Sequence, residues 1–191
     1  MSLRPAAGPS RMATATARLS STTGEGLSAR RASYSAAICR QSVAAALSAD
    51  AWTETLDINL KGTFLVAKHA IAVMLRERSG SIVNIASVEG LEGTEGGSAY
   101  NASKGGVVIL TKNMAIDYGG HGIRVNCVCP GFIDTDMLRS VPEHVLEHLL
   151  ARIPLGRFGA PEEIARGVLY LVRDGEYVTG TCLNINGGLY M

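Results

Sequence analysis

From Ser48 onward the sequence predicts an α/β fold built on a parallel sheet, and three observations carry that expectation. Short β-branched runs recur at 81–86 (SIVNIA), 123–129 (IRVNCVC) and 181–185 (TCLNI). Longer stretches with helical spacing of their apolar residues separate these runs. Gly or Pro delimits each of them, at Gly80, Gly119-Gly120, Pro130-Gly131 and Gly187-Gly188. Short strands alternating with helices of that length read as βαβ units, whose crossovers keep neighbouring strands parallel.

The elements follow in order. Ser48 stands as an N-cap before 49–54 (ADAWTE), which places acids in the first turn. The apolar pattern then continues through Leu60, Phe64, Ala67 and Ala70, so a first long helix is predicted over about 50–78. The run at 81–86 is the first strand. Residues 89–97 form a Gly-rich loop whose Glu89, Glu92 and Glu95 keep it soluble. A second long helix is predicted over about 98–120, and the strand at 123–129 stops at Pro130-Gly131. Two further helices are predicted at about 141–151 and, after Pro161, at 161–172. The last strand, 181–185, ends at Gly187-Gly188. No internal repeat is visible.

The 191 residues and 20.1 kDa suit one ordinary domain. A net charge of +1 gives no electrostatic reason to expect a nucleic-acid or polyanion partner. At 47% hydrophobic the chain has material for a core, and no uninterrupted apolar run approaches the roughly 18 residues of a membrane span. Four cysteines do not make a disulfide framework. The average hides a break near residue 48. Up to Ala49 there are six Arg, no Lys and one acid, Glu25, so nearly all the excess positive charge lies there. Segment 1–48 is built from Ala, Ser, Thr and Arg with neither a period of 2 nor of 3.6, and is expected to be irregular and disordered. Its composition fits a mitochondrial transit peptide, but sequence from another start, exon or reading frame is the favoured reading.

Chemistry gathers at four residues. Tyr100 and Lys104 lie four apart near the start of the second helix, so they share a face. A lysine ammonium beside a phenol favours the phenolate and brings the hydroxyl from its usual pKa near 10 towards use as a general acid/base. Ser87 follows the end of a strand, where open α/β sheets place their sites, and its hydroxyl could bond a substrate carbonyl. Asn59 is a polar residue between Ile58 and Leu60 on a largely apolar helix. Each has a plain structural alternative: Ser87 as a loop cap, Asn59 as a partner for a backbone group, Tyr-x-x-x-Lys as coincidence. Their joint order and spacing single them out.

In that order and spacing the chain resembles the short-chain dehydrogenase/reductase family, from about Leu47 to Gly188. The resemblance implies a Rossmann-like three-layer α/β fold, incomplete here, with the last three or so strands and their helices. It makes 49–191 the catalytic region and implies NAD- or NADP-dependent chemistry at a CH–OH or C=O group. The 3-oxoacyl-reductase-like and polyol- or sugar-oxidising branches stay open. It implies that Tyr100 donates and accepts the proton, that Lys104 tunes it and holds a ribose, that Ser87 orients the carbonyl, and that Asn59 holds a relay water. The family's Pro-Gly turn stands at Pro130-Gly131, and Ile133 and Thr135 fall where a backbone group and a hydroxyl contact the nicotinamide carboxamide. Segments 156–164, 178–181 and 186–188 match the family ending. The implied partners are a small alcohol or ketone substrate and further copies of the chain, through the helices at about 50–78 and 98–120, with neither nucleic acid nor membrane. The implied location is cytoplasmic, or mitochondrial if 1–48 is a transit peptide.

The family's first half is not found. Thr-Gly-x-x-x-Gly-x-Gly, a ribose selector and Asn-Asn-Ala-Gly are all missing. The nearest candidate, Thr23-Gly24-Glu25-Gly26, continues with Ser28 and Arg30 where glycines belong. Without those glycines a backbone cannot approach the pyrophosphate. Segment 1–48 stands in place of that first half rather than ahead of it, which favours another start, exon or reading frame over a targeting signal. The expectation is therefore a truncated chain that binds NAD(P)H weakly or not at all, with a catalytically silent interaction partner as the alternative. The selector between NAD and NADP would lie in the missing half, and 89–97 and 136–155 carry no readable substrate code. His144-Val-Leu-Glu-His148 reads H-x-x-E-H, but a solvated helix face is the ordinary reading. Cys127 and Cys129 share one strand face as reduced, buried thiols, and no metal is expected.

Overall fold

The computed structural model describes residues 43–139 and 141–191. Most of the segment expected to be irregular, 1–42, and with it the Thr23–Gly26 candidate, lies outside the described residues. Ala44–Ala46 form a short 3-10 turn.

Three strands, β1 (Gly80–Ile85), β2 (Ile123–Pro130) and β3 (Cys182–Ile185), form a parallel sheet in that spatial order. Gly80 stands opposite Ile123, Ile85 opposite Val128, and Cys127 opposite Cys182. The helices are α1 (Ala49–Leu56), α2 (Gly62–Glu77), α3 (Ser98–Gly119), α4 (Asp136–Arg139), α5 (Glu143–Ala151) and α6 (Pro161–Arg173). Ser48 caps α1 as its residue type requires, its hydroxyl accepting from the Ala51 N–H at 3.2 Å. The first long helix is not uniform: Asp57–Lys61 form a π turn between α1 and α2. The short α4 was not anticipated from the sequence.

Alternation along β2 sorts its side chains to two layers. Ile123, Val125, Cys127 and Cys129 face α2 and α3 and are fully buried. Arg124 and Asn126 face the other way. Arg124 donates to the carbonyls of Leu171, Val172 (2.9 Å) and Gly175 (2.8 Å), holding the C-terminal end of α6 to the sheet. Asn126 donates to Val178 O and accepts from Thr181 N–H, setting the turn into β3. Gly167 of α6 lies so close to Ile185 that a Cβ there would collide with its side chain. The result is α2 and α3, sheet, then α6: a three-layer, partial Rossmann-like α/β fold.

Among the described residues β1 pairs only with β2. Ala86 N–H bonds Val128 O and Gly80 N–H bonds Gly122 O, so the backbone groups of Ser81, Val83 and Ile85 point away from β2 along an open edge. A groove of about 480 Å³ runs beside that edge, lined by Ile58, Val66, Ile82, Val83, Ile85 and Lys104 among others. Ala67 and Ile71 anchor α2 in the core, while Phe64, Leu65, Val66 and Val73 are exposed. The continuous helix 49–77 reaches a mean hydropathy of 1.3 over 18 residues, long and apolar enough by that measure to cross a membrane.

Candidate active site

Tyr100 and Lys104 rise from the first turns of α3 on one face, as four-residue spacing requires. The Lys104 ammonium lies 5.8 Å from the centroid of the Tyr100 ring. It also donates to Ile85 O at 2.9 Å, one of the carbonyls on the open edge of β1. Burial pushes Lys104 below its ordinary pKa, partly offset by the nearby Cys129 sulfur.

Ser87 is buried just past β1, and its Oγ accepts from Glu89 N–H at 3.2 Å. That bond leaves its hydroxyl proton to donate elsewhere. Glu89 is half-buried and held above the usual carboxylate range by desolvation and then by Glu92, against the opposing charge of Arg152. The loop carrying it is pinned by Asn101, whose Nδ2 donates to Glu92 O at 2.9 Å and to Thr94 Oγ1 at 3.1 Å.

Asn59 is buried in the π turn, and Thr63 Oγ1 donates to its carbonyl at 2.7 Å. Its Nδ2 donates to Ser103 Oγ at 3.0 Å, and Ser103 Oγ donates to Tyr100 O at 2.7 Å. Ser103, fully buried, thus ties the π turn to the first turn of α3. The sequence reading passed over it, although it lies between Tyr100 and Lys104 where any inward polar side chain bears on both.

Beyond β2, Gly131 packs within reach of Asn186, whose Cβ and backbone would meet any added side chain. The segment after it forms a parallel bridge, Gly159 N–H to Phe132 O and Asp134 N–H to Gly159 O. Those bonds flank Ile133, so its own N–H and C=O are directed to the other side. Thr135 is exposed at the start of α4, its carbonyl accepting from Arg139 N–H. Asn59, Ser87, Tyr100 and Lys104 therefore gather about the ends of β1 and α3. Pro130, Gly131, Ile133 and Thr135 follow one another out of the end of the adjacent strand.

His144, Glu147 and His148 are exposed on α5, in keeping with a solvated face. Cys127 and Cys129 are buried under α3 and joined by Cys182, whose Sγ is 3.4 Å from that of Cys127. Cys127 is held up as a thiol, first by its hydrogen bond to Cys129 and then by burial. Cys129 is drawn down by that same bond against the cost of burial, helped by the Ser87 N–H and the charge of Lys104.

Over residues 31–190 the chain matches the family model described as enoyl-(acyl carrier protein) reductase. It is 45% identical over 155 residues to the 3-oxoacyl-(acyl-carrier-protein) reductase FabG of Thermotoga maritima, covering 81% of this chain and 63% of that protein. It is 40% identical over 155 residues to the FabG of Chlamydia trachomatis, covering 81% and 62%. To the acetoacetyl-CoA reductase of an Acinetobacter species it is 45% identical over 157 residues, covering 82% and 63%. The chain thus spans somewhat under two thirds of the length of these relatives. Matched along four fifths of its own length, and carrying Asn59, Ser87, Tyr100 and Lys104 about one strand end, it belongs to the short-chain dehydrogenase/reductase family.

Proposed function

We propose that residues 49–191 are the proton-transfer and substrate portion of an NAD(P)-dependent oxidoreductase that acts on 3-oxoacyl thioesters. The observation that carries this reading is the Lys104 ammonium 5.8 Å from the Tyr100 ring, beside a Ser87 hydroxyl with a proton to give. The names of the relatives, 3-oxoacyl-(acyl-carrier-protein) and acetoacetyl-CoA reductases, supply the substrate class.

In this reading Ser87 donates to the substrate carbonyl oxygen and fixes its position. Tyr100 delivers a proton to that oxygen as charge develops on it, and Lys104 stabilises the phenolate left behind. Asn59, through Ser103, holds the turn that aims Tyr100. The nicotinamide cofactor, when bound, supplies or accepts the hydride at the carbon. The outward-directed backbone of Ile133 and the exposed Thr135 suit its carboxamide end, with Lys104 for the ribose. Among the described residues no strand-to-helix turn carries a Gly-x-x-x-Gly-x-Gly that could cradle the pyrophosphate, so binding by this chain is weak, and NAD and NADP stay equivalent in this reading.

The test is reduction of acetoacetyl-CoA with NADPH in excess, comparing wild type with Tyr100→Phe. A slow wild-type rate that falls at least ~100-fold in the variant supports the reading. Equal rates in the two folded proteins overturn it.

A second reading, a catalytically silent partner for other chains, draws on the open edge of β1 with its apolar groove. It draws also on the exposed Phe64 and Leu65 of α2 and Ile109 and Ile116 of α3. Sedimentation tests it: a folded but strictly monomeric chain sinks it, and self-association in a chain whose reductase rate does not depend on Tyr100 favours it.

A further inference from the structure

The geometry points to a three-sulfur site for a soft monovalent d10 cation of the Cu(I) class, formed by Cys127, Cys129 and Cys182 beneath α3. Two of these residues are two apart on β2 and so share a face; the third stands opposite Cys127 in the parallel register with β3. Their Sγ atoms lie within 4.8 Å of one another, and those of Cys127 and Cys182 are 3.4 Å apart. A metal–sulfur bond near 2.3 Å puts the sulfurs of a trigonal centre about 4 Å apart, inside that range. The three sulfurs therefore need separations changed by under about 1 Å to share one ion.

The surroundings decide which ion. Among the described residues no His, Asp, Glu or further Cys joins the group. The apolar neighbours are Ala86, Val107, Val108, Leu60 and Leu91, with the Ser87 N–H and the Lys104 ammonium towards Cys129. Tetrahedral Zn(II) would lack its fourth ligand, whereas three-coordinate sulfur is a setting that Cu(I) accepts. Cys127 and Cys129 are fully buried, but Cys182 is half-buried on a strand at the sheet's edge, which gives the ion a way in. Each sulfur–metal bond forms as a thiol cedes its proton to solvent, so three protons leave as the ion binds and no electron changes hands. Ordinary buried cysteines act as small apolar side chains, but three converging sulfurs from two strands exceed what packing needs.

The experiment is anaerobic titration of the full chain with Cu(I), delivered as its acetonitrile complex, against a chromogenic Cu(I) chelator. One copper per chain retained against the chelator is expected, together with an ultraviolet sulfur-to-metal charge-transfer band. Cys39→Ser, which removes the one remaining cysteine, should leave both unchanged. Cys182→Ser should lower retention at least tenfold. Because a buried cysteine variant can fail to fold, X-ray absorption at the copper edge of the loaded wild type gives an independent reading, and three sulfur neighbours are expected. Failure to retain copper, retention that depends on Cys39 rather than Cys182, or a shell with fewer than three sulfurs or with oxygen or nitrogen overturns the assignment. So does equal retention of Zn(II).

Discussion

On the β3 side of β2 the polar side chains Arg124 and Asn126 find fixed partners. Arg124 grips three carbonyls at the end of α6, Asn126 bridges Val178 and Thr181, and Leu171 is sealed beneath them. Among the described residues the sheet ends at β1. Val83 and Ile85 turn backbone groups away from β2, the Ile85 carbonyl accepts from Lys104, Ile85 is 50% exposed, and a groove of about 480 Å³ lies alongside. One flank is closed by polar clamps over apolar packing; the other exposes apolar side chains next to a strand that, among the described residues, has no second partner strand. The contrast teaches that polar clamps fix α6 and the turn into β3, while the proton-transfer residues sit towards β1 on the same α3 whose inner face packs the core.

The largest expected difference tests that contrast directly. Leu171→Ala should cost about 3 kcal/mol in urea unfolding, from a sealed site with little room to collapse. Ile85→Ala, half exposed, should cost under about 1 kcal/mol. Comparable losses at the two positions would erase the distinction between the flanks. Next, Arg124→Met strands carbonyls at the C-terminal end of α6 and should cost about 2 kcal/mol by the same measurement. A neutral result would mean that packing alone holds α6. Amide exchange sharpens the comparison at the backbone: Val125 and Cys127 should be among the slowest amides, and Val83 and Ile85 among the fastest within strands.

A smaller effect belongs to the entry of α6. Arg157 pairs with Glu163 at 2.8 Å through both oxygens, and Ala160 N–H donates to the same carboxylate, which holds Glu163 down at about 2. A carboxyl depressed in the folded state stabilises above its ordinary value near 4.5 and loses that contribution as pH falls towards 2. Stability followed by urea unfolding should therefore decline over that window in the wild type, and less steeply in Glu163→Gln. Because the pair is solvent-facing, the difference should be small and should shrink further in salt.

The same division governs what the sequence could disclose. Strands 80–85, 123–130 and 182–185 fall within a residue or so of their expected bounds, because β-branched runs between Gly and Pro report strand ends locally. Ser48 and Pro161 mark helix starts for equally local reasons. Asn59, Ser87, Tyr100 and Lys104 were legible as a set from order and spacing. The π turn at Asp57–Lys61 was not, since one extra residue in a turn hardly disturbs an apolar pattern that allows some slippage. Ser103 as the link to Asn59, and Cys182 as the neighbour of Cys127, depend on contacts 44 and 55 residues apart in the chain. Only packing and register bring those together.

The bond from Lys104 to Ile85 O has a consequence of its own. That carbonyl is the acceptor a further parallel strand would claim, offering a neutral amide where the ammonium now stands. A strand laid along the edge would release Lys104 towards Tyr100 in the same event that completes the ladder. Docking and arming then share one equilibrium: the lysine reports whether the edge is covered, and by linkage a ligand that recruits the lysine favours the covered form.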